Sequence, residues 1–525
     1  MSDRVQEIGL DGYWQAGWGR EYNQTVPVPG LMGDPQEIDS DVVWYRREVK
    51  LPVGEWTMAT LVLNGARFCP GVYVNGDLVS ETPGGMAPTQ HLLWHSAVHP
   101  GETITLEIAL QPLDRVPEKD ASRIPEADWW RSNVSACLWD TVRLYLHGGA
   151  RITRLVPWTD WKNDTLMVKV GVDDTGGIIP DTLRAEVVDE AGHIVAFAEM
   201  PAQVGECTVK VSLQGACEPW SPEAPDAYTV RVSLLQNGEL LDQRSCAWGK
   251  KEFGIEGLGF VLNGQPVHLR ADSVVWHRWC RDPEARELAF DITWFERNIV
   301  QRLEDHGANT LRFHLGTPPE ALLDLCDRAG LMVQLEWSFF HGIKASKESL
   351  VTQWRDWFDL ALRHPCVMLH HPWNESAGDE VRKAFSALEE LMPEYPPLVI
   401  AHRDVTHVHK YWWSLFENLG LYYESIEPFG RPIMVDEFGG NYLGGELQPS
   451  TYPTEAGSLL RFLGHKHTPS QRLQLNTESS SQVAEYWRRL GAAGFSPFCA
   501  LGSPEDGYHH FMGPLVEGNP KPVWD

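Results

Sequence analysis

No run of 18 apolar residues occurs in this 525-residue chain, which excludes a membrane-spanning helix. The opening stretch MSDRVQEIGLDGYW lacks the apolar centre of a secretory signal, so a soluble, unsecreted, cytoplasmic protein is expected. Positive charge is scarce: 44 Lys and Arg stand against 72 Asp and Glu, a formal net charge of -28. Neither a nucleic acid nor an anionic membrane is therefore expected as a partner, since both call for a basic patch. The nine cysteines, scattered from Cys69 to Cys499, contain no Cys-x-x-Cys pair and no Cys/His zinc spacing. A disulfide framework or a zinc site is not expected, and buried free thiols are.

What is present is globular, with 43% hydrophobic and 22% charged residues, on a chain long enough for two to four domains. The first half reads as strands. Thr103 to Leu110 places Ile104, Leu106, Ile108 and Leu110 on one face, and Leu166 to Val172, Val209 to Leu213 and Thr229 to Leu234 alternate likewise. Turn signals at Asn75-Gly76 and Pro83-Gly84-Gly85 separate such runs, the texture of antiparallel sandwiches. A break at His147-Gly148-Gly149 divides this half, giving two β-sandwich domains at residues 1–148 and 149–255.

From residue 256 to 525 strands alternate with helices. Phe295, Ile299 and Leu303 share a helical face before Gly307, and Val351, Trp354, Phe358 and Leu362 share another. Thr317-Pro318-Pro319-Glu320 reads as an N-cap, a first-turn proline and an N3 glutamate, predicting a helix from Glu320 to Ala329 that Gly330 ends. Strands are predicted near 267–271, 309–315, 331–337, 366–374, 398–402, 405–411, 432–438 and 495–501. Eight strands in a segment of this size predict a (β/α)8 barrel, in which chemistry sits at the C-terminal strand ends.

Two carboxylates fall at such ends. Glu375 follows the fourth strand in Trp373-Asn374-Glu375, and Glu437 ends the seventh in Val435-Asp436-Glu437-Phe438-Gly439. Facing carboxylates across a barrel mouth suit glycosidic bond hydrolysis, one as general acid and the other as nucleophile, the adjacent negative charge keeping the acid protonated until it is needed.

The chain resembles glycoside hydrolase family 2 along nearly its whole length. Val43-Trp44-Tyr45-Arg46-Arg47, Val72-Tyr73-Val74-Asn75-Gly76, Asn133-Val134-Ser135 and Leu138-Trp139-Asp140-Thr141-Val142 resemble its N-terminal jelly-roll, sugar-binding-like domain. Trp220-Ser221-Pro222-Glu223-Ala224-Pro225 is similar to a motif of its immunoglobulin-like domain. Phe260 to Val267, Gly307 to Arg312 and Leu323 to Asp327 resemble its entry into the catalytic barrel. The resemblance implies a retaining, exo-acting β-glycosidase of the β-galactosidase, β-glucuronidase and β-mannosidase type, needing no cofactor and acting on an oligosaccharide or other glycoside; a homo-oligomer is compatible with it. It further implies Glu375 as acid/base, Asn374 on the sugar 2-hydroxyl, Glu437 as nucleophile and Arg312 as its orienting arginine, with His409 and Tyr411 on the sixth strand near the nucleophile.

Departures from the family accompany these matches. Asp436 stands where a serine is usual, His314 is shifted from the family's histidine, Phe339 meets the position of a metal-binding glutamate, so that no metal and in particular no catalytic magnesium is expected, and Phe498 replaces a strand-eight tryptophan. Asn519-Pro520-Lys521 resembles the carboxylate-reading Asn-x-Lys of glucuronidases, but also an ordinary family stretch opening the last helix. Among 23 tryptophans, Trp276, Trp279, Trp337, Trp373, Trp412 and Trp413 fall at strand ends as candidate sugar-stacking walls. His277, His314, His341, His370 and His371 are similarly placed, with hydroxyl-binding or structural roles expected. Because the chain stops where an eighth helix should begin, a longer natural protein, or closure of the barrel by another segment, is expected. A noncatalytic carbohydrate-binding protein and an inverting glycosidase stay open at this point, the latter separable by the distance between the carboxylates.

Overall fold

The computed structural model describes residues 5–32, 41–94, 97–120, 136–279, 287–340, 342–411, 430–439 and 459–500. The alternation seen in the first half becomes two pairs of antiparallel sheets. A six-stranded sheet runs in the order 24–28, 12–18, 43–50, 103–110, 71–74, 77–81, and a four-stranded one in the order 6–9, 142–147, 58–63, 89–93. Ile104, Leu106, Ile108 and Leu110 lie fully buried between these sheets. Asn75 and Gly76 both take positive φ, 53° and 92°, and turn the hairpin between Gly71–Val74 and Asp77–Glu81. The second pair joins 151–160, 165–173 and 205–212 in one sheet with 194–201, 182–188, 228–236 and 239–248 in the other.

Phe260 to Val267 does not feed straight into the barrel. Asn263 and Gly264, at φ 53° and 74°, close a hairpin of Gly259–Leu262 with Gln265–Val267, so the first barrel strand begins two residues later than the sequence pattern suggests. The barrel strands are β1 (Leu269–Val274), β2 (Thr310–Phe313), β3 (Met332–Glu336), β4 (Val367–His371), β5 (Val399–Ile400), β6 (Thr406–Tyr411), β7 (Ile433–Gly439) and β8 (Gly494–Pro497). All their pairings are parallel, in the order β5-β4-β3-β2-β1-β8-β7-β6. The two ends of that order are consecutive in the chain and meet at the parallel bridge Ala401↔Val405, the cyclic order of a (β/α)8 barrel. No helix separates β5 from β6: residues 401–405 form a tight turn in which Asp404 accepts from the Ile400 N–H and returns its own N–H to the Ile400 carbonyl.

The flanking helices follow the apolar periodicity. Phe295, Ile299 and Leu303 are buried on a helical run whose middle, Glu296–Val300, widens to a π-turn. Helix α1 spans Glu320–Ala329 and ends at Gly330 with φ 75°, as the sequence predicts. Its start is different, because Pro319 occupies the N-cap position and has no side-chain acceptor to offer. The first N–H, that of Glu320, is instead accepted at 2.8 Å by Asp140 of the N-terminal sandwich, so this cap comes from another domain. Helices α2 (Lys347–Leu362), α3 (Asp379–Leu391) and α4 (Pro469–Arg489) follow around the sheet.

Several motif residues are joints between domains. Trp139 packs on Trp276 and His277 with ring centroids 5.9 and 5.0 Å away, and Arg67 bonds His277 Nδ1 at 2.9 Å. The indole of Trp220 donates to the Asp327 carbonyl at 3.0 Å, and Arg154 reaches across to Asp359 and Glu394 at 2.7 Å. Among the described residues no helix is long and apolar enough to cross a membrane. Residues 501–525, where a complete eighth helix was not expected, lie outside the described residues.

Asp327 ties α1 to the start of β4, accepting from His364 Nδ1 at 2.7 Å and from the Cys366 N–H at 2.8 Å. Burial lowers the His364 pKa, but Asp327 and Glu320 outweigh it and bring the ring to about 10. Raised above its unfolded value, this pKa gives stability that is complete below about pH 6.5 and lost as pH climbs through 10. Asp327→Asn keeps an acceptor for Cys366 but strands the imidazolium, and should cost about 3–5 kcal/mol. In denaturant melts across pH the gap to wild type should be widest below about pH 6.5 and shrink towards 10; a gap independent of pH would refute the ion pair.

Candidate active site

Strands β2, β3, β4 and β7 are buried on both faces, as parallel barrel strands are, so each polar side chain pointing inward must find its partner there. Arg312, in the middle of β2 and fully buried, has the most partners. Its Nε and Nη2 lie 3.0 and 2.9 Å from Glu336 Oε2, Nη1 reaches the Asp436 carbonyl at 2.7 Å and Glu437 Oε1 at 3.0 Å, and Nη2 also meets Asn374 Oδ1 at 3.2 Å. One guanidinium fork thus fixes residues from β3, β7 and the loop after β4.

Glu437 lies within β7 and Glu375 four residues beyond β4, and an oxygen of each approaches the other within 4.8 Å. Glu437 is nearly buried, its side chain 6% exposed, whereas that of Glu375 is 32% exposed and open to solvent. Glu375 has φ 40°, a left-handed backbone that a glutamate adopts at a cost of about 1–3 kcal/mol. Asn374 anchors that turn by donating its N–H to the Phe339 carbonyl at 2.8 Å, while its side-chain Nδ2 is buried without a partner.

Parallel pairing sets His409 of β6 beside Glu437 of β7. Its Nδ1 lies 2.6 Å from Glu375 Oε1 and 3.5 Å from Glu437 Oε2, and its Nε2 lies 3.4 Å from Asp436 Oδ1. Burial lowers the His409 pKa, but Glu437, Asp436 and Glu375 together hold it well above the ordinary imidazole range. Burial raises Asp436, yet His407 at 2.5 Å and Arg312 keep that carboxyl well below the usual carboxylate range. Glu336 goes the other way: burial, against the pull of Arg312, pushes it up to about 8.

His314 donates or accepts at Glu336 Oε2, 2.8 Å away, packs at 84° against Phe498, and brings its Nε2 to 3.6 Å from Glu437 Oε1. Trp337 and Trp373, expected as stacking walls, are 1% exposed. Trp373 is covered by His402, stacked at 5.2 Å, and by Phe385, while Trp337 packs on Phe339 and Trp357. Both therefore support the site from behind, the correction that burial imposes on a placement read from strand ends alone; Trp276 is buried likewise. The side chains of Tyr411 and Trp279, and all of His341, Trp412, Trp413, Asn519 and Lys521, lie outside the described residues.

Beneath the carboxylates His371, expected in a hydroxyl-binding or structural role, is held by Gln334 and His402, which the sequence reading left without a role in the site. Gln334 joins His371 Nδ1 at 2.9 Å to Asp436 Oδ2 at 3.1 Å, and His371 Nε2 meets His402 Nε2 at 3.0 Å. Burial and the neighbouring His407 lower both rings, His402 to about 3 and His371 well below the ordinary value, so they sit neutral. The alternation His407-Val408-His409 on one barrel strand was the available signal, since residues two apart share a face.

Three groups among the described residues bring imidazole and carboxylate atoms within 4.8 Å: His371 with His407 and Asp436, Asp324 with Asp327 and His364, and Glu375 with His409 and Glu437. Each contains a nitrogen-to-oxygen distance of 2.5 to 2.7 Å. That suits an N–H···O bond, whereas two ligands of a tetrahedral ion stand about 3.3 Å apart. The three groups read as ion-paired hydrogen bonds.

No family model matches the chain. It is 28% identical over 366 residues to a β-galactosidase of Bacteroides ovatus, covering 61% of this chain and 40% of that one. With a β-glucuronidase of Paenibacillus borealis it shares 25% identity over 490 residues, 80% of this chain and 79% of the other. Among solved structures, β-glucuronidase 2 of Bacteroides uniformis superposes with a TM-score of 0.74 at 16% identity, over 99% of this chain and 69% of that chain. The chain spans 32% and 40% of the length of two of the curated relatives it matches.

Removing the fork exposes what it balances. Arg312→Met leaves Glu336, Asp436 and Glu437 clustered without their shared cation and should destabilise the protein by about 3–5 kcal/mol. Carboxylates that repel one another have folded pKa values above their unfolded ones, so the loss should grow as pH rises from about 4 and fade in acid. Parallel melts of wild type and variant across pH test this; a loss that deepens in acid would contradict it.

Proposed function

We propose that the chain is a member of glycoside hydrolase family 2 and a retaining, exo-acting β-glycosidase in which Glu437 is the nucleophile and Glu375 the acid/base. The observation that carries this reading is the approach of the two carboxylates within 4.8 Å. Retaining enzymes hold the pair about 5–5.5 Å apart, and inverting ones leave about 6.5–9.5 Å for a water. Two ionisable groups so close, joined by an asparagine with an unsatisfied buried donor, also argue against a site that only binds sugar.

Each residue then has a chemical task. Arg312 holds Glu437 Oε1 at 3.0 Å and fixes the carboxylate beside the position of the anomeric carbon. Attack forms a C–O bond to Glu437 as the glycosidic C–O bond breaks, and Glu375 protonates the departing oxygen. Water, deprotonated by the same Glu375, then cleaves the glycosyl ester with a second inversion. The unpartnered Asn374 Nδ2 is placed to donate to a ring hydroxyl, a bond worth most when charge develops in the transition state. Both β-glucuronides and β-galactosides suit the names of the relatives, and a panel of aryl β-glycosides tells them apart.

Glu375→Ala provides the sharper test. An aryl glycoside with an acidic leaving group needs little protonation, so its glycosyl-enzyme should still form while alkyl glycosides lose about 10²–10⁴-fold. Azide needs no general base and fits the vacated space. It should restore turnover of the aryl substrate and yield a β-glycosyl azide; an α-configured azide, or no rescue, would remove Glu375 from this role.

A further inference from the structure

Both ring nitrogens of His409 face carboxylate oxygens. Nδ1 meets Glu375 at 2.6 Å and Glu437 at 3.5 Å, and Nε2 meets Asp436 at 3.4 Å. A carboxylate accepts and does not donate, so a neutral imidazole would point its lone pair at an anion on one side or the other. With the three carboxylates ionised only the doubly protonated ring satisfies both directions; a ring bare at Nδ1 would require the proton to sit on Glu375 instead. The neighbouring groups are Glu375 from the loop after β4, Asp436 and Glu437 from β7, His402 from the β5–β6 turn, His407 on β6 and, through Glu437, Arg312 on β2. Three anions face this ring directly, and their effect exceeds that of its burial.

That arrangement poses a difficulty for the glycosidase reading. A general acid must hold a proton, yet Glu375 rests as the acceptor of a short bond from an imidazolium. We propose that His409 is the resting store of the proton that Glu375 delivers to the leaving group, and that attack by Glu437 releases it. This inference rests on the retaining-glycosidase reading above and assigns His409 a positioning and proton-holding role that acts through Glu375.

The step balances as follows. In the resting site the proton lies on His409 Nδ1, Glu375 is ionised and Glu437 is anionic. As the Glu437 oxygen bonds the anomeric carbon its charge is consumed, and His409 loses one of the anions that hold its proton. The Nδ1 proton then passes to Glu375 Oε1 and from there to the glycosidic oxygen as that C–O bond breaks, while His409 keeps its Nε2 proton towards Asp436. In the second step Glu375 takes a proton from the attacking water, the ester breaks, Glu437 recovers its charge, and the proton returns to His409 Nδ1. Net change is hydrolysis alone.

The resting state is tested without turnover. In wild-type protein carrying ¹⁵N-histidine, with the His409 signals identified by their loss in His409→Asn, both ring nitrogens should be protonated at about pH 8, and Glu375→Gln should lower that titration. A ring with one bare nitrogen at about pH 7 overturns the proposal. Kinetics test the release. His409→Asn, which keeps a hydrogen-bond donor but cannot titrate, should lose about tenfold or more activity on an alkyl glycoside relative to an activated aryl glycoside. Its alkaline pH limb should move to lower pH, since the proton must then come from an unassisted carboxyl. Equal losses on both substrates with an unmoved limb would make His409 a structural residue and overturn the proposal. Failure of the glycosidase reading itself looks different, with wild type turning over no aryl glycoside.

Discussion

The arrangement of the barrel mouth depends on one buried cation. Arg312 is wholly enclosed, and its fork is shared among Glu336, Glu437, the Asp436 carbonyl and Asn374. Desolvating a guanidinium is costly, and only a full set of charge-assisted bonds offsets it. Because those acceptors come from three different strands or strand ends, the fork requires the barrel to be closed and in register before it can be satisfied. Position of Glu437 and closure of the fold are in that sense one constraint. The imidazolium of His409 performs the complementary service on the solvent side, so that Glu437 lies between two cations and beside two further carboxylates, Asp436 and Glu375.

Domain joints follow the same logic of satisfying orphaned groups. Helix α1 starts with a proline at its N-cap, and the missing acceptor is supplied by Asp140 from the first sandwich. Trp139, next to it, covers Trp276 and His277 directly behind β1, while Trp220 and Arg154 bind the second sandwich to α1 and α2. The sandwiches thus contribute to the core that surrounds the barrel. The five-residue turn between β5 and β6 is the other economy in the design. It places His402 flat on Trp373 and against His371, which turns the back of the Glu375 loop into a packed aromatic and imidazole layer.

Much of this was legible in the sequence because it depends on local periodicity. Alternation in Thr103–Leu110, the Asn75-Gly76 turn and the strand-end position of Glu437 need only nearest neighbours and appear as expected. The two glutamates were identifiable because a barrel assigns function to strand ends. What escaped was set by distance in the chain: the cap of α1 lies 180 residues away, and the partners of His409 come from 34 residues upstream and from the adjacent strand. Gln334 and Glu336 lie in a strand read only for its apolar residues, and their polarity acquires meaning only when Asp436 and Arg312 arrive beside them. Trp337 and Trp373 illustrate the reverse error, since a strand-end aromatic faces the substrate or the helix behind it with no difference in sequence.

The central claim is that Glu437 bonds covalently to the sugar. A 2-fluoro glycoside with an activated leaving group, carrying the sugar that the aryl panel selects, slows the second step and traps that bond. Peptide mass spectrometry of the inactivated protein should find the fluorosugar on Glu437 and nowhere else. A label on Asp436 or another carboxylate, or steady turnover to a product of inverted configuration without any labelled peptide, would contradict the account.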